Sequence, residues 1–239
     1  MGNEISKVDH ANLAARAYAA IREGLMRGSF RPGQHLVIRE LAEQLGTSTT
    51  PVREACQRLV SENALMLRSR RFAIVPPMTE ARYLEVRTIR LELEGLAARL
   101  AAARAGPADI EALEQLQSAY EIADHAGDGE SAHALNRQFH FAVYRLSELE
   151  MLVAMIGNLW VSMGPMLTVF YRDGAQTYVG GIEHRAVINA LASGDGEAAR
   201  DAIHRDMLAG GRDLLRFLRR KEADGVAQSG SARTDPDDG

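Results

Sequence analysis

Ser48-Thr49-Thr50-Pro51-Val52-Arg53-Glu54-Ala55-Cys56-Gln57-Arg58-Leu59 is the stretch on which the reading of this chain turns. Ser48 is a favoured N-cap residue type. Pro51 falls in the first turn, where a missing N–H costs little because first-turn amides have no partner within the helix. Val52, Ala55, Cys56, Leu59 and Val60 then recur at helical spacing, so one stripe is buried and the helix runs to about Asn63. Thr49, Thr50 and Arg53 lie in the first turn, off that stripe. A guanidinium and hydroxyls beside the positive end of a helix suit phosphate oxygens and guanine edges.

Upstream, residues 12–28 place Leu13, Ala17, Ile21 and Leu25 on one stripe, and Gly28 ends that helix. Phe30-Arg31-Pro32-Gly33 is a turn, and residues 38–45 form a short helix stopped by Gly46. Downstream, residues 65–75 alternate and carry Phe, Ile and Val, which predicts a β-hairpin with Arg68, Ser69, Arg70 and Arg71 near its tip. Helix, turn, helix and basic hairpin make a winged helix-turn-helix, whose second helix enters the major groove of double-stranded DNA. Pro76-Pro77 begins a linker.

Charge supports this division. Residues 11–76 hold ten Arg, five Glu and no Lys, a net of +5. Residues 77–222 hold sixteen basic and twenty-one acidic groups, a net of −5. A basic module joined to an acidic one conceals its affinity for nucleic acid behind an overall charge of −4. Aromatics are only 5% while Ala and Leu abound, so the rest of the chain favours helix packing. With Cys56 alone no internal disulfide forms, and a polar N-terminus carries no signal-peptide core, so a cytoplasmic protein is expected. No uninterrupted apolar run approaches the ~20 residues of a bilayer span, so no membrane partner is expected.

The fold class that follows is mainly α: three helices plus a β-hairpin, then an antiparallel all-helical bundle of six or seven helices. The expected organisation is a flexible arm over 1–10, the DNA-binding domain over 11–76, the helical domain over 77–222 and a disordered tail over 223–239. Breaks at Gly106-Pro107, Gly127-Asp128-Gly129, Ser147, Asp173-Gly174 and Gly194-Asp195-Gly196 separate the bundle helices.

Residues 16–75 resemble the GntR family of regulators, on the framework Ala20-Ile21, Gly28, Arg31-Pro32-Gly33, Arg39-Glu40-Leu41-Ala42, Leu45-Gly46 and Ser48 to Leu59. The resemblance implies that Arg39, Ser48, Thr49, Thr50 and Arg53 make phosphate and base contacts, with Arg68, Arg70 and Arg71 of the wing beside them. The chain departs from the family pattern at Thr49, where Arg is usual, and at Asn63 and Arg71, where Gly is usual. Asn tolerates a left-handed backbone, so Asn63 is a mild change. Residues 80–221 resemble the FCD domain of the FadR-type branch, through the run from Arg90 to Ala102, Phe139-His140, Glu183-His184-Arg185, and Gly194-Asp195 followed by Ala198-Ala199. The resemblance implies an effector-binding and dimerising domain in which Arg90 holds a carboxylate.

Many members of that branch hold a divalent metal with one Asp and three His, and the spacing here tests whether this chain can. Asn136 and His140 are four apart and share a helix face. His184 lies eleven residues before Asp195 and Asp206 eleven after it, so in an antiparallel pair both stand ~16 Å from the turn. Asp206 shares a face with Ala199, Ala202, Ile203 and Gly210 and points inward, whereas His204 points mostly to water. The inward set is Asn136, His140, His184 and Asp206, with Asn136 in place of the usual Asp and Asp206 in place of a His. Such N/O ligation suits Zn, Ni, Mn or Fe(II). The same four residues could instead satisfy one another as a polar cluster without metal. His133, one turn before Asn136, is a substitute ligand.

The function expected is a homodimeric repressor whose affinity for a double-stranded DNA operator responds to a small organic acid in the bundle. A metal-dependent enzyme and a helical protein-binding adaptor are the alternatives. Against the enzyme, no nucleophile pair, general base or cofactor loop is visible, and Cys56 lies on the buried stripe.

Overall fold

The computed structural model describes residues 10–69, 71–173 and 181–231. Two compact units form. One comprises the described residues up to Pro77 together with Asn158–Met166, and the other comprises Met78–Gly157 with the described residues from Leu167 onward.

In the first unit the elements are α1 (His10–Met26), β1 (His35–Val37), α2 (Ile38–Gln44), α3 (Thr49–Ser61), β2 (Met66–Leu67) and β3 (Phe72–Ile74). The helix stripes expected from periodicity are buried: Ala17, Ile21 and Leu25 of α1 meet Val52, Ala55, Cys56 and Leu59 of α3. A polar clasp fixes the same pair. Tyr18 donates to the Glu62 carboxylate at 2.8 Å, and the Arg58 guanidinium lies 3.8 Å over the Tyr18 ring while donating to Glu62. The sheet runs β1-β3-β2, antiparallel throughout, so the hairpin gains a third strand. Asn63 adopts φ +58°, the left-handed turn expected of it at the entry to the wing. His10, expected at the end of a flexible arm, belongs to α1; residues 1–9 lie outside the described residues.

The second unit holds α4 (Glu80–Ala102), α5 (Pro107–His125), α6 (Gly129–Arg145), the two ends of α7 (Glu150–Asp173), α8 (Gly181–Ala192) and α9 (Gly196–Ser231). Helices α6, α5, α8, α9 and α4 pack in that cyclic order, and α4 closes the ring against α6. Glycines bring α9 close to α4: a Cβ on Gly196 would stand 2.8 Å from the Arg99 carbonyl oxygen, and one on Gly95 would meet His204.

One expectation needs correction. The stretch read as a disordered tail is helical as far as Ser231, because a helix already anchored by Leu214, Phe217 and Leu218 extends at one hydrogen bond per residue without a new nucleus. Residues 232–239 lie outside the described residues. In α7, Glu150–Leu167 is by length and composition apolar enough to cross a membrane, with mean hydropathy 1.3. Its polar interruptions at Gly157-Asn158 and Ser162 hid it from a search for an uninterrupted run. Half of it is buried within the protein, Ile156, Trp160, Val161 and Met163 included, and a core helix meets the same criterion.

Candidate functional site

In the first unit the described residues expected to read DNA lie at the start of α3, on α2 and on the wing. Ser48 and Thr50 are exposed, while Thr49 and Arg53 are half-buried. Ser48 occupies the N-cap position of α3 with φ −82° and ψ 165°, yet its side chain makes no capping hydrogen bond. One reason is visible in the sequence: a cap oxygen accepts from the second or third helical N–H, and the third residue here is Pro51, which has none. Arg53 Nε is shielded and has no hydrogen-bond partner among the described residues. Arg39 is exposed and donates to Glu43 at 3.0 Å, one turn along α2. Arg68 and Arg71 are exposed on the wing; Arg70 lies outside the described residues. Sequence reasoning missed exposed His35, which stacks on Phe72 at 4.9 Å beside the wing. A three-residue strand has no period by which it could have been found.

In the second unit every helix of the ring contributes polar groups to one buried line. From α4, Arg90 pairs with Glu94, which is fully buried. Tyr144 of α6 donates to the same carboxylate, and its hydroxyl lies 3.0 Å from His140 Nδ1. His140 Nε2 is 3.2 Å from one carboxylate oxygen of Asp206 on α9, and His184 Nε2 of α8 is 3.6 Å from the other. His184 Nδ1 lies 2.7 Å from Gln117 Oε1 of α5, and Gln117 donates to Glu121, which Arg185 clasps with two hydrogen bonds.

The structure thus brings together three of the four residues expected to face inward. Ligand atoms of His140, His184 and Asp206 all lie within 4.8 Å of one another. Asn136 stands one turn before His140 on α6, half-buried, and His133 is buried one turn earlier still. His204, expected to face mostly water, is instead half-buried and hydrogen-bonded to the Leu91 carbonyl at 2.8 Å, because α4 covers that side of α9. Arg90 is neither an open anion site nor a surface pair: Glu94 occupies its fork and the pair is buried.

Burial dominates the electrostatics. It pushes Tyr144 well above the usual phenol range, and the nearby Glu94 charge adds to this. For Arg90 burial works against the charge, but the Glu94 carboxylate more than offsets it, so the guanidinium is held above its ordinary value. His184 is pushed down to about 4 by burial, only partly opposed by Asp206. A group that stays neutral in the fold but protonates at its ordinary value when unfolded lets the unfolded chain bind the extra proton between those two values. The metal-free protein is therefore expected to lose stability, on the order of 3 kcal/mol, as pH falls from about 6.5 to about 4, with no further loss from this group below that. Denaturant titrations of wild type and His184→Gln across that window check this: the variant's curve is expected to be flatter by that amount.

The donor chemistry fits a divalent transition metal. His184 Nε2 is buried with no hydrogen bond among the described residues and faces a carboxylate, and a neutral imidazole in that position is a ready ligand. Two imidazoles and one carboxylate are a common N/O set for Zn and its neighbours.

Residues 13–75 match the bacterial regulatory proteins of the gntR family, and residues 85–209 match the FCD domain. The HTH-type transcriptional regulator McbR of Escherichia coli (strain K12) is 39% identical over 165 residues, 69% of this chain and 75% of that protein. The probable D-xylose utilization operon transcriptional repressor of Paenarthrobacter nicotinovorans is 32% identical over 169 residues, 69% of this chain and 72% of that one. The solved structure of E. coli McbR/YncC superposes with TM-score 0.80 at 33% identity, over 86% of this chain and 98% of that chain. The matching family and these relatives are transcriptional regulators, and this chain is a transcriptional regulator, not an enzyme. The chain belongs to the GntR family and carries an FCD domain.

Proposed function

We propose that this regulator is a cytoplasmic homodimeric repressor that binds a palindromic operator and answers to a small organic acid through a metal held in the helical ring. His140, His184 and Asp206 would hold the ion, with Asn136 adjoining them. A bound divalent Zn, Ni, Mn or Fe ion would act as a Lewis acid with positions left for water or an effector carboxylate. The observation that carries the reading is the convergence of three buried donors, one of them an imidazole nitrogen with no hydrogen bond among the described residues. Arg90 contributes its charge to an anionic effector only if the effector competes with Glu94 for the guanidinium fork. On DNA, Arg39, Ser48, Thr49, Thr50, Arg53 and the wing arginines make the contacts. The effector acts by preferring one of the two arrangements of a dimer's DNA-binding modules.

Metal analysis and mass spectrometry of the freshly purified protein test the effector half. Adding Zn²⁺ at a hundred times its dissociation constant is expected to stabilise the chelator-treated protein by about 2.7 kcal/mol. That corresponds to a rise in melting temperature of roughly 5–10 °C. His184→Gln is expected to abolish the rise, and equal shifts in both proteins would reject the site. Gel-shift assays on the gene's own upstream DNA test the other half; absence of sequence-selective binding at moderate salt would reject it.

A further inference from the structure

Each imidazole of the trio has a second neighbour that decides which of its nitrogens carries the proton. Glu94 accepts from the Arg90 guanidinium at both of its oxygens, and Tyr144 donates to one of them. The Tyr144 oxygen is thereby left as an acceptor, and His140 Nδ1–H is its donor. On the other side, Glu121 is ionised against Arg185, so Gln117 turns its NH₂ to Glu121 and its oxygen to His184. An amide oxygen only accepts, so His184 Nδ1–H is its donor.

We infer that Tyr144, locked by Glu94, and Gln117, locked by Glu121, are positioning residues that fix both His140 and His184 as Nδ1–H tautomers, so that both Nε2 atoms face Asp206 as ligands. This rests on the metal reading for its purpose, not for its geometry. The two locks come from different helices, and each ends on an arginine: Arg90 is buried at one end and Arg185 is exposed at the other. Neither Tyr144 nor Gln117 lies among the three ligand residues, so changing either removes orientation and leaves the donor count intact.

The test is two-bond proton–nitrogen correlation NMR on chelator-treated full-length protein labelled with ¹⁵N-histidine, with His140→Gln and His184→Gln supplying assignments. Wild type is expected to show Nδ1–H tautomers at both positions. Tyr144→Phe is expected to shift His140 toward Nε2–H and leave His184 unchanged; Gln117→Leu is expected to do the reverse. Co²⁺ affinity, read from its visible absorption, is expected to fall by roughly 10- to 100-fold in each variant. An Nε2–H tautomer in wild type, or a variant in which the tautomer does not move, overturns the inference. Wild-type protein with both expected tautomers but no Co²⁺ uptake supports the tautomer assignment and removes the metal reading instead.

Discussion

Glu94→Ala is expected to destabilise the helical unit, by up to about 3–5 kcal/mol, because it removes the buried carboxylate that both branches of the Arg90 guanidinium contact. Two further effects add to this. Tyr144 loses the acceptor for its hydroxyl, and His140 loses the lock behind it. Removing both charges is a different matter. A buried ion pair replaced by apolar side chains of similar size is often neutral or stabilising, so Arg90→Met with Glu94→Leu is expected to recover the part of the loss that comes from the buried charge, but not the Tyr144 hydrogen bond. Denaturant melts of the two variants beside wild type separate the cases. If Glu94→Ala costs under 1 kcal/mol, Arg90 is being neutralised by another group or by water.

Arg53→Ala is expected to have the largest effect on DNA binding. An arginine that reads a guanine edge accounts for about 1–3 kcal/mol at one half-site, and in a symmetric dimer the substitution removes it twice. The expected fall in operator affinity is therefore about 30-fold to more than 10⁴-fold, with relaxed preference at the base pair it reads. Arg39→Ala differs in kind. It is expected to weaken operator and non-specific DNA alike and to flatten the dependence of log affinity on log salt by about one for each phosphate left without its cation. Quantitative binding at several salt concentrations, on operator and scrambled DNA, distinguishes the two roles. Equal weakening on both DNAs for Arg53→Ala would place Arg53 on the backbone instead of the bases.

The sequence made the amphipathic parts legible and the tertiary parts opaque. The stripes of α1 and α3 have a helical period, so both helices and their buried faces could be read directly. Strand β1 has three residues and shows no period. His184 and Asp206 could be matched because a single tight turn at Asp195 ties their heights together. The links from Gln117 to His184 and from Glu94 to Tyr144 span 67 and 50 residues, and only the closure of the helical ring decides them. Arg90 and Glu94 were visible as an i, i+4 pair, but their burial depends on α6 and α9 packing beside α4. His204 was misread for the same reason: one helix's polar face became another helix's packing surface.

The stretch from Ser48 to Leu59 carries one more consequence. With Pro51 at the third helical position and the Ser48 hydroxyl making no cap, α3 begins with an incomplete first turn. Helix starts of this kind are finished by whatever acceptor arrives, and a DNA phosphate is an anion well matched to that end of the helix. The nucleic acid would then serve as a borrowed cap, so that reading the operator and completing the reading helix are one event. Amide hydrogen exchange at Thr49 and Thr50 is expected to slow on operator binding by a larger factor than in the middle of α3, and equal protection along the helix would show that α3 was already complete.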